Sequence, residues 1–440
     1  MRAWKLKRNH ETRIRAQHPW VFSNELIDSP KGITAGEEVE LQDMMGRFLA
    51  RGYGNSQSLI SFRAMSFNAK EDFRMTPAHL TARLLKAWKY RFNQGFRESF
   101  RLCFSEADLM PGLILDRYVF EKAGKKFQVF SYQLLTSGMD TAFKKDNQWE
   151  AVLQYLAEEA LAEKFSDIAW AETIILQRND VNIRKLEGLA VEEPVILKTV
   201  DEEDLTDIAI QIQSVLNRDQ KILFNVNLPD GQKTGFFLDQ TLNIQLLLRQ
   251  LETRKDELKG KTVRILDLCC YMGQWSSQIV HQLKQWGAEC EVHLVDVSEL
   301  ALKKASQNLS AFQVPVATYK KDVLAIDAIP EFQKMKFDII ISDPPAFVKN
   351  KKDINAGLAA YTKLNGLALK LCGPQALIVS CTCSGAVKFE DFKEAVGKAV
   401  VKTGVRAKCV AYGSQGLDHP HSLNFPEGYY LKMILQQIDS

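Results

Sequence analysis

The sequence predicts an α/β protein: an open, mostly parallel sheet with helices on both faces, preceded by a small β-rich module and a mixed central region. Three observations carry that expectation. From residue 263 to residue 380, apolar β-rich runs alternate with helical stripes, the pattern of repeated βα units. Several of those runs end in chemically loaded residues, as strands do where a parallel sheet presents a site at its carboxyl edge. Residues 1–72 instead carry short strand patterns between turn signals.

In the first module the expected strands are Glu38–Leu41, Arg47–Tyr53 and Leu59–Met65. They are separated by Ser29-Pro30-Lys31-Gly32, Met45-Gly46 and Gly54-Asn55-Ser56. The polar run Asn68–Asp72 links it to a central α+β region, 73–200. That region opens with a helical pattern from Pro77 to Phe100 and continues as mixed helix and strand to Glu187. The acidic stretch Asp201–Asp207 marks the start of the third domain, 201–440.

In that domain Ile222, Phe224, Val226 and Leu228 alternate with Asn225 and Asn227. Pro229-Asp230-Gly231 then turns the chain into Lys233–Gln240, which predicts a β-hairpin. Strand Val263–Leu268 is followed by a helix with Trp275, Ile279, Val280, Leu283 and Trp286 on one face. Strand Glu291–Val295 leads to Ser298 as N-cap and the stripe Leu302, Ala305, Leu309, Phe312. Strand Phe337–Ser342, helix Leu358–Leu371 and strand Ala376–Ser380 continue the alternation. Strands Val405–Tyr412 and Tyr429–Gln437 have no helix between them, so an antiparallel final strand is expected.

Composition bounds the function. At 440 residues, 46% hydrophobic and 25% charged, the chain is an ordinary soluble type with room for two or three domains. No apolar run is long enough to span a membrane. The basic N-terminus has no apolar core behind it, so no secretory signal is expected. Eight cysteines without a Cys-x-x-Cys pair argue against zinc and for reduced thiols in a cytoplasmic enzyme. A net charge of +3 is unevenly spread. Arg2, Lys5, Lys7, Arg8, Arg13 and Arg15 form one basic set. Arg83, Lys86, Lys89, Arg91, Arg97 and Arg101, interleaved with Trp88, Tyr90, Phe92 and Phe96, form another. Such mixtures suit RNA, whose phosphates attract cations and whose unpaired bases stack on rings, and they equally suit a solvated helix face.

Leu266-Asp267-Leu268-Cys269-Cys270-Tyr271-Met272-Gly273 is the first strand-to-helix turn, where a doubly wound sheet holds its cofactor. Its single glycine lacks the dinucleotide fingerprint, and there is no Walker lysine. A cofactor without phosphates fits better, and S-adenosylmethionine is the candidate. Gly273 would let the backbone approach the methionine portion, and Asp267 could face its ammonium. Asp296, ending the second strand, could bind both ribose hydroxyls. Asp322, ending the third, could accept from the adenine amino group. Asp343-Pro344-Pro345-Ala346-Phe347 offers a carboxylate, a rigid turn and a ring suited to a nucleobase. Ser380-Cys381-Thr382-Cys383-Ser384 offers two thiols at the neighbouring edge. Spacing does not choose between Cys381 and Cys383, since residues two apart on a strand share a face.

These motifs resemble those of class I methyltransferases in their usual order. His18-Pro19-Trp20-Val21-Phe22 resembles the start of a PUA domain fused to such an enzyme. Glu106–Gly112, Asp116-Arg117-Tyr118, Arg178-Asn179-Asp180, Arg184, Glu187-Gly188, Lys233–Gln240, Asp418-His419-Pro420 and Phe425–Gly428 extend the match over nearly the whole chain. The family is the PUA-containing cytosine-5 methyltransferases of large-subunit ribosomal RNA. The resemblance implies a seven-stranded sheet, a thiolate nucleophile at Cys383, and Asp343 binding the pyrimidine. It adds Tyr271 and Gln240 to the cofactor residues. The expected partner is ribosomal RNA of the large subunit or its precursor, with a homodimer left open and no membrane. Two positions depart from the family pattern. Thr241-Leu242-Asn243 follows Gln240 where an arginine and a further basic residue are usual, and Cys269-Cys270 replaces an aromatic or Cys followed by Ser. The rival expectations are an exocyclic-amino-group methyltransferase and an RNA-binding assembly factor without turnover.

Overall fold

The computed structural model describes residues 1–439, and they form two compact units. One comprises Met1–Gln211, Asn227–Leu238 and Leu417–Gly428. The other comprises Ile212–Val226, Asp239–Gly416 and Tyr429–Ser440.

The first unit begins with a sheet in the order Arg2–Lys5, Glu38–Gln42, Phe48–Gly54, Ile60–Ser66, Trp20–Phe22. The three expected strands are there. Arg2–Lys5 was expected only as part of a basic set, yet it is a strand paired in parallel with Glu38–Gln42, with Trp4 buried and Arg2, Ala3 and Lys5 exposed. A second sheet centres on Leu113–Lys122 and Lys125–Leu134, paired from Leu113↔Leu134 to Lys122↔Lys125. The two-residue turn Ala123-Gly124 has positive φ at both positions, 51° and 73°, the twist a tight hairpin needs. Thr173–Gln177 runs parallel to Lys125–Leu134, and Phe100–Phe104 pairs antiparallel with Leu113–Lys122.

Two expectations are corrected here. The helix from Pro77 ends at Asn93, and Phe100 opens a strand. Gly95, at φ 85°, terminates it, and Phe96 N–H returns to the Arg91 carbonyl, as in a left-handed C-terminal cap. The hairpin also fails. Lys221–Val226 is a strand, but 233–240 is not. Residues 227–235 instead close local turns, with Asp230 N–H donating to Asn227 Oδ1 and Gly231 N–H to the Asn227 carbonyl. Thr234 is buried, its hydroxyl donating to Asp116 and pairing with Tyr118. Side chains that bond locally draw backbone away from a ladder.

Among the described residues the second unit holds a seven-stranded sheet. Its strands are β1 (Thr262–Leu268), β2 (Glu289–Asp296), β3 (Val316–Lys320), β4 (Phe337–Ser342), β5 (Cys372–Thr382), β6 (Ala407–Ser414) and β7 (Lys432–Ile438). The order is β3-β2-β1-β4-β5-β7-β6. β1 to β5 are parallel, and β7 is antiparallel to both β5 and β6. Period-two alternation splits the core. Ile265, Leu294, Ile341, Val379 and Cys381 meet one helical layer through Leu247, Ile279 and Leu302. Leu266, Leu268, Ile340 and Ile378 meet the other through Leu364 and Ala368. Each fully buried aliphatic side chain contributes about 1.5–3 kcal/mol. Strand order reverses between β1 and β4, which opens a crevice at their carboxyl ends.

Candidate active site

The turn after β1 shapes one side of that crevice. Cys269, Tyr271 and Gly273 take positive φ (64°, 48° and 78°). The N–H groups of Cys269 and Cys270 donate to the Val295 carbonyl on β2. Gly273 was expected to admit a ligand. What the structure shows is a close helix, because a Cβ there would lie 3.2 Å from Ala305 Cβ of the helix Glu299–Ser310.

Four carboxylates converge on this turn. Burial pushes the Cys269 thiol up, and Asp296, Asp343, Asp267 and Asp322 add to the effect. Asp267 is 1% exposed. Ser276 Oγ donates to its Oδ2 at 2.6 Å, while Oδ1 has no hydrogen-bond partner among the described residues. Burial raises its pKa to about 7, with nearby Asp343 and Asp296 also pushing upward. Asp296 Oδ2 accepts the Tyr271 N–H at 3.1 Å, and Oδ1 accepts the Ser298 N–H at 2.9 Å. Asp322 lies two residues past β3, exposed, accepting the Leu324 N–H. An orphaned, buried carboxylate oxygen in an acidic crevice fits a cationic group, as the ammonium of S-adenosylmethionine is. Among the described residues no three His, Cys, Asp or Glu side chains could share a metal ion.

Asp343 follows β4. Its Oδ2 accepts from Gln240 Nε2 at 2.8 Å and from Trp275 Nε1 at 3.1 Å. Asn243 Nδ2 donates to Gln240 Oε1 at 2.7 Å, which fixes the direction of the amide. Asn243 belongs to the segment that departs from the family pattern.

Cys383 stands one residue past the end of β5, half-buried, with Sγ 4.0 Å from the Pro344 carbonyl. Its turn is pinned from both sides. Thr382 Oγ1 donates to the Tyr361 phenol at 2.7 Å and accepts the Ser384 N–H at 3.2 Å. Ser384 Oγ pairs with the same phenol at 3.0 Å. Cys381, 1% exposed, lies in the sheet core, where burial pushes its thiol up. Because the strand ends between them, two cysteines of equal spacing have different surroundings.

Trp275, Ser276, Asn243 and Tyr361 were not expected at the site. The first two occupy the first turn of the helix after Gly273, a position that could have flagged them. Tyr361 carries no local signal. The second basic set is corrected. Arg91 is fully buried against Asp108, Arg101 pairs with Asp116, and Trp88 is core. Lys86 and Lys89 remain exposed.

Residues 5–67 match the model of a PUA-like domain, and residues 233–363 that of a small methyltransferase domain. Ribosomal RNA large subunit methyltransferase I of Tolumonas auensis is 31% identical over 436 residues, covering 97% of each chain. Its namesake in Shewanella denitrificans is 30% identical over 442 residues, covering 99% of this chain and 98% of that one. The chain belongs to this family. Its fold is that of class I methyltransferases behind a PUA-like domain, and its cofactor is S-adenosylmethionine. Among solved structures, a candidate S-adenosylmethionine-dependent methyltransferase from Streptococcus mutans shares the fold at TM-score 0.70 and 18% identity, covering 99% of this chain and all of that one. Another candidate methyltransferase, solved with S-adenosylhomocysteine, aligns at TM-score 0.71 and 18% identity over the same shares. Among the described residues no helix is long and apolar enough to cross a membrane.

Proposed function

We propose that this chain methylates carbon 5 of a cytosine in large-subunit ribosomal RNA, with Cys383 as covalent nucleophile and Asp343 as the carboxylate that binds the ring. The observation that carries the proposal is a half-buried thiol just past β5, beside the segment after β4 that begins with a fixed carboxylate. The names of the family relatives support the substrate class. Residues 1–72 and 73–200 would engage the RNA, and 201–440 would hold cofactor and chemistry.

Carbon 5 of cytosine is a weak nucleophile. Addition of the Cys383 thiolate to carbon 6 forms the S–C6 bond and moves the π electrons toward carbon 5. Asp343 binds near N3 and the amino group and stabilises the charge that develops on the ring. When bound, S-adenosylmethionine supplies an electrophilic methyl group. Loss of the carbon 5 proton to a base then restores the double bond, and the C–S electron pair returns to sulfur. Asp267 would hold the cofactor's amino group, Asp296 its ribose hydroxyls and Asp322 its adenine. Tyr271 and Gly273 would line the turn, with Gln240 beside it. A target base inside a helix must be flipped out.

The test is ribosomal RNA carrying 5-fluorocytosine, incubated with protein and cofactor, then denaturing electrophoresis and peptide mapping. Fluorine cannot leave as a proton does, so a stable adduct at Cys383 is expected. Efficient turnover by Cys383→Ala would overturn the reading in favour of amino-group methylation. Cofactor binding with no methyl transfer to any ribosomal RNA would favour an assembly factor.

A further inference from the structure

We propose that Lys432 is a positioning residue for the Cys383 thiolate: its ammonium holds the backbone beside the thiol and places a positive charge there. This rests on the reading of Cys383 as nucleophile.

Lys432 opens β7 and lies directly opposite Thr382, the last residue of β5. It is 2% exposed. Its Nζ donates to the Ser384 and Tyr430 carbonyls, both at 3.3 Å, and stands 5.2 Å from the centre of the Tyr429 ring. Among the described residues no carboxylate pairs with it. A buried ammonium held only by two long carbonyl contacts and a ring is costly, and nothing in the packing of the sheet requires one. An aliphatic side chain would fill the position at lower cost, as Ile434 does two residues along the same face.

What it gains is a neighbour that can carry the opposite charge. Burial lowers the Lys432 pKa to about 8, and Cys383 is the group that pulls it back up. Coupling is mutual, so the charge that favours ammonium at Lys432 favours thiolate at Cys383. Thiolate and ammonium together hold one proton fewer than thiol and ammonium, the proton having left Sγ for solvent. Several ionisable groups near the end of β5 disfavour a thiolate or stay neutral. Asp343 and Asp239 act on neighbouring Cys381, pushing its thiol up after burial. The Cys381 thiol is held protonated by burial, and the Tyr361 phenol is raised, by burial first. Lys432 brings a positive charge to this turn.

The experiment is the pH dependence of iodoacetamide alkylation at Cys383 in the full chain, quantified by peptide mass spectrometry so that exposed Cys409 is counted separately. Wild type should show a midpoint below the ordinary thiol value of about 8.5. Lys432→Met should raise the midpoint and slow alkylation at pH 7 at least tenfold, and Lys432→Arg should restore most of the rate. Methyl transfer should fall with kcat while the KM for S-adenosylmethionine holds. Equal profiles in wild type and a folded Lys432→Met protein overturn the proposal. If that variant does not fold, the wild-type midpoint decides, because a value at or above the ordinary one overturns it too. A Lys432-dependent low midpoint without any 5-fluorocytosine adduct overturns only the nucleophile reading.

Discussion

Gln240 donates from Nε2 to Asp343 Oδ2 over 2.8 Å. A residue expected beside the cofactor thus has its amide committed to the carboxylate proposed to bind the base. Its other end is held by Asn243, so the segment that lacks the family's arginine has its own means of orienting the amide. The arrangement makes Gln240 a support for Asp343, with Trp275 as the second donor.

Gln240→Ala should therefore lower kcat with little change in S-adenosylmethionine affinity. A hydrogen bond to a charged group is worth about 1.5–3 kcal/mol, or roughly ten- to a hundredfold in rate. Steady-state methyl transfer and calorimetric titration separate the two effects. A fall in cofactor affinity at unchanged kcat would place Gln240 on the cofactor instead.

Asp267 should show two opposite pH effects. Its folded-state pKa is about 7 against an ordinary 3.8, so between those values the folded chain holds a proton that the unfolded chain releases. Stability of the cofactor-free protein therefore falls as pH rises through that window. Asp267→Asn should stabilise the cofactor-free protein at pH 8, by roughly 1–3 kcal/mol, and leave it unchanged near pH 3. Cofactor affinity should move the other way, rising with pH toward 7 in wild type and becoming low and flat in the variant. Thermal melts and titrations at both pH values check the pair of signs.

Much of this was legible because the period of the sequence is strong where the sheet is parallel. Strands such as Phe337–Ser342 carry an unbroken apolar stretch, Ile339 to Ile341, and their last residues mark the crevice edge. Ser298 could be named as an N-cap because its chemistry is local, and its side chain does accept the Ala301 N–H. The failures have the opposite character. Arg91 lies on a helix with Lys89 and Tyr90, and nothing local says that it turns inward to Asp108 and the Asp418 carbonyl. Tyr361 reaches the Cys383 turn from a helix two elements away, a contact set by packing alone. The Lys233–Gln240 run follows a turn signal and so reads as the second arm of a hairpin, but Thr234 finds its partners in Asp116 and Tyr118, far off in sequence.

RNA affinity should respond to the exposed basic residues and not to the buried ones. Lys86→Glu with Lys89→Glu should weaken binding and lower the salt slope, each lost phosphate contact being worth up to about one unit of that slope. Arg91→Glu should instead unfold the first unit, because it buries a carboxylate and opposes part-buried Asp108 with a like charge, a loss of about 3–5 kcal/mol or more. Binding isotherms across a salt series and melting curves distinguish the outcomes. Unchanged affinity and slope in the double lysine variant would make that helix face merely solvated.

The two cysteines near the end of β5 give the sharpest contrast. Cys381 packs among Ile339, Val379 and Met433, and burial keeps its thiol protonated. Cys381→Ala should therefore cost about 1–2 kcal/mol of stability through the small cavity it leaves. It should keep both the 5-fluorocytosine adduct and substantial turnover. Cys383 lies beyond the last ladder pair, on a turn pinned by Tyr361 and Lys432. Cys383→Ala should melt like wild type, bind S-adenosylmethionine with wild-type affinity and transfer no methyl group. Tyr361→Phe, which removes the phenol that holds Thr382 and Ser384, should fall between them, with the adduct forming more slowly at the same site. Peptide mapping of the trapped complex decides the assignment. Attachment at Cys381 would reverse the two roles, because a thiol buried in the core could react only if the end of β5 opened.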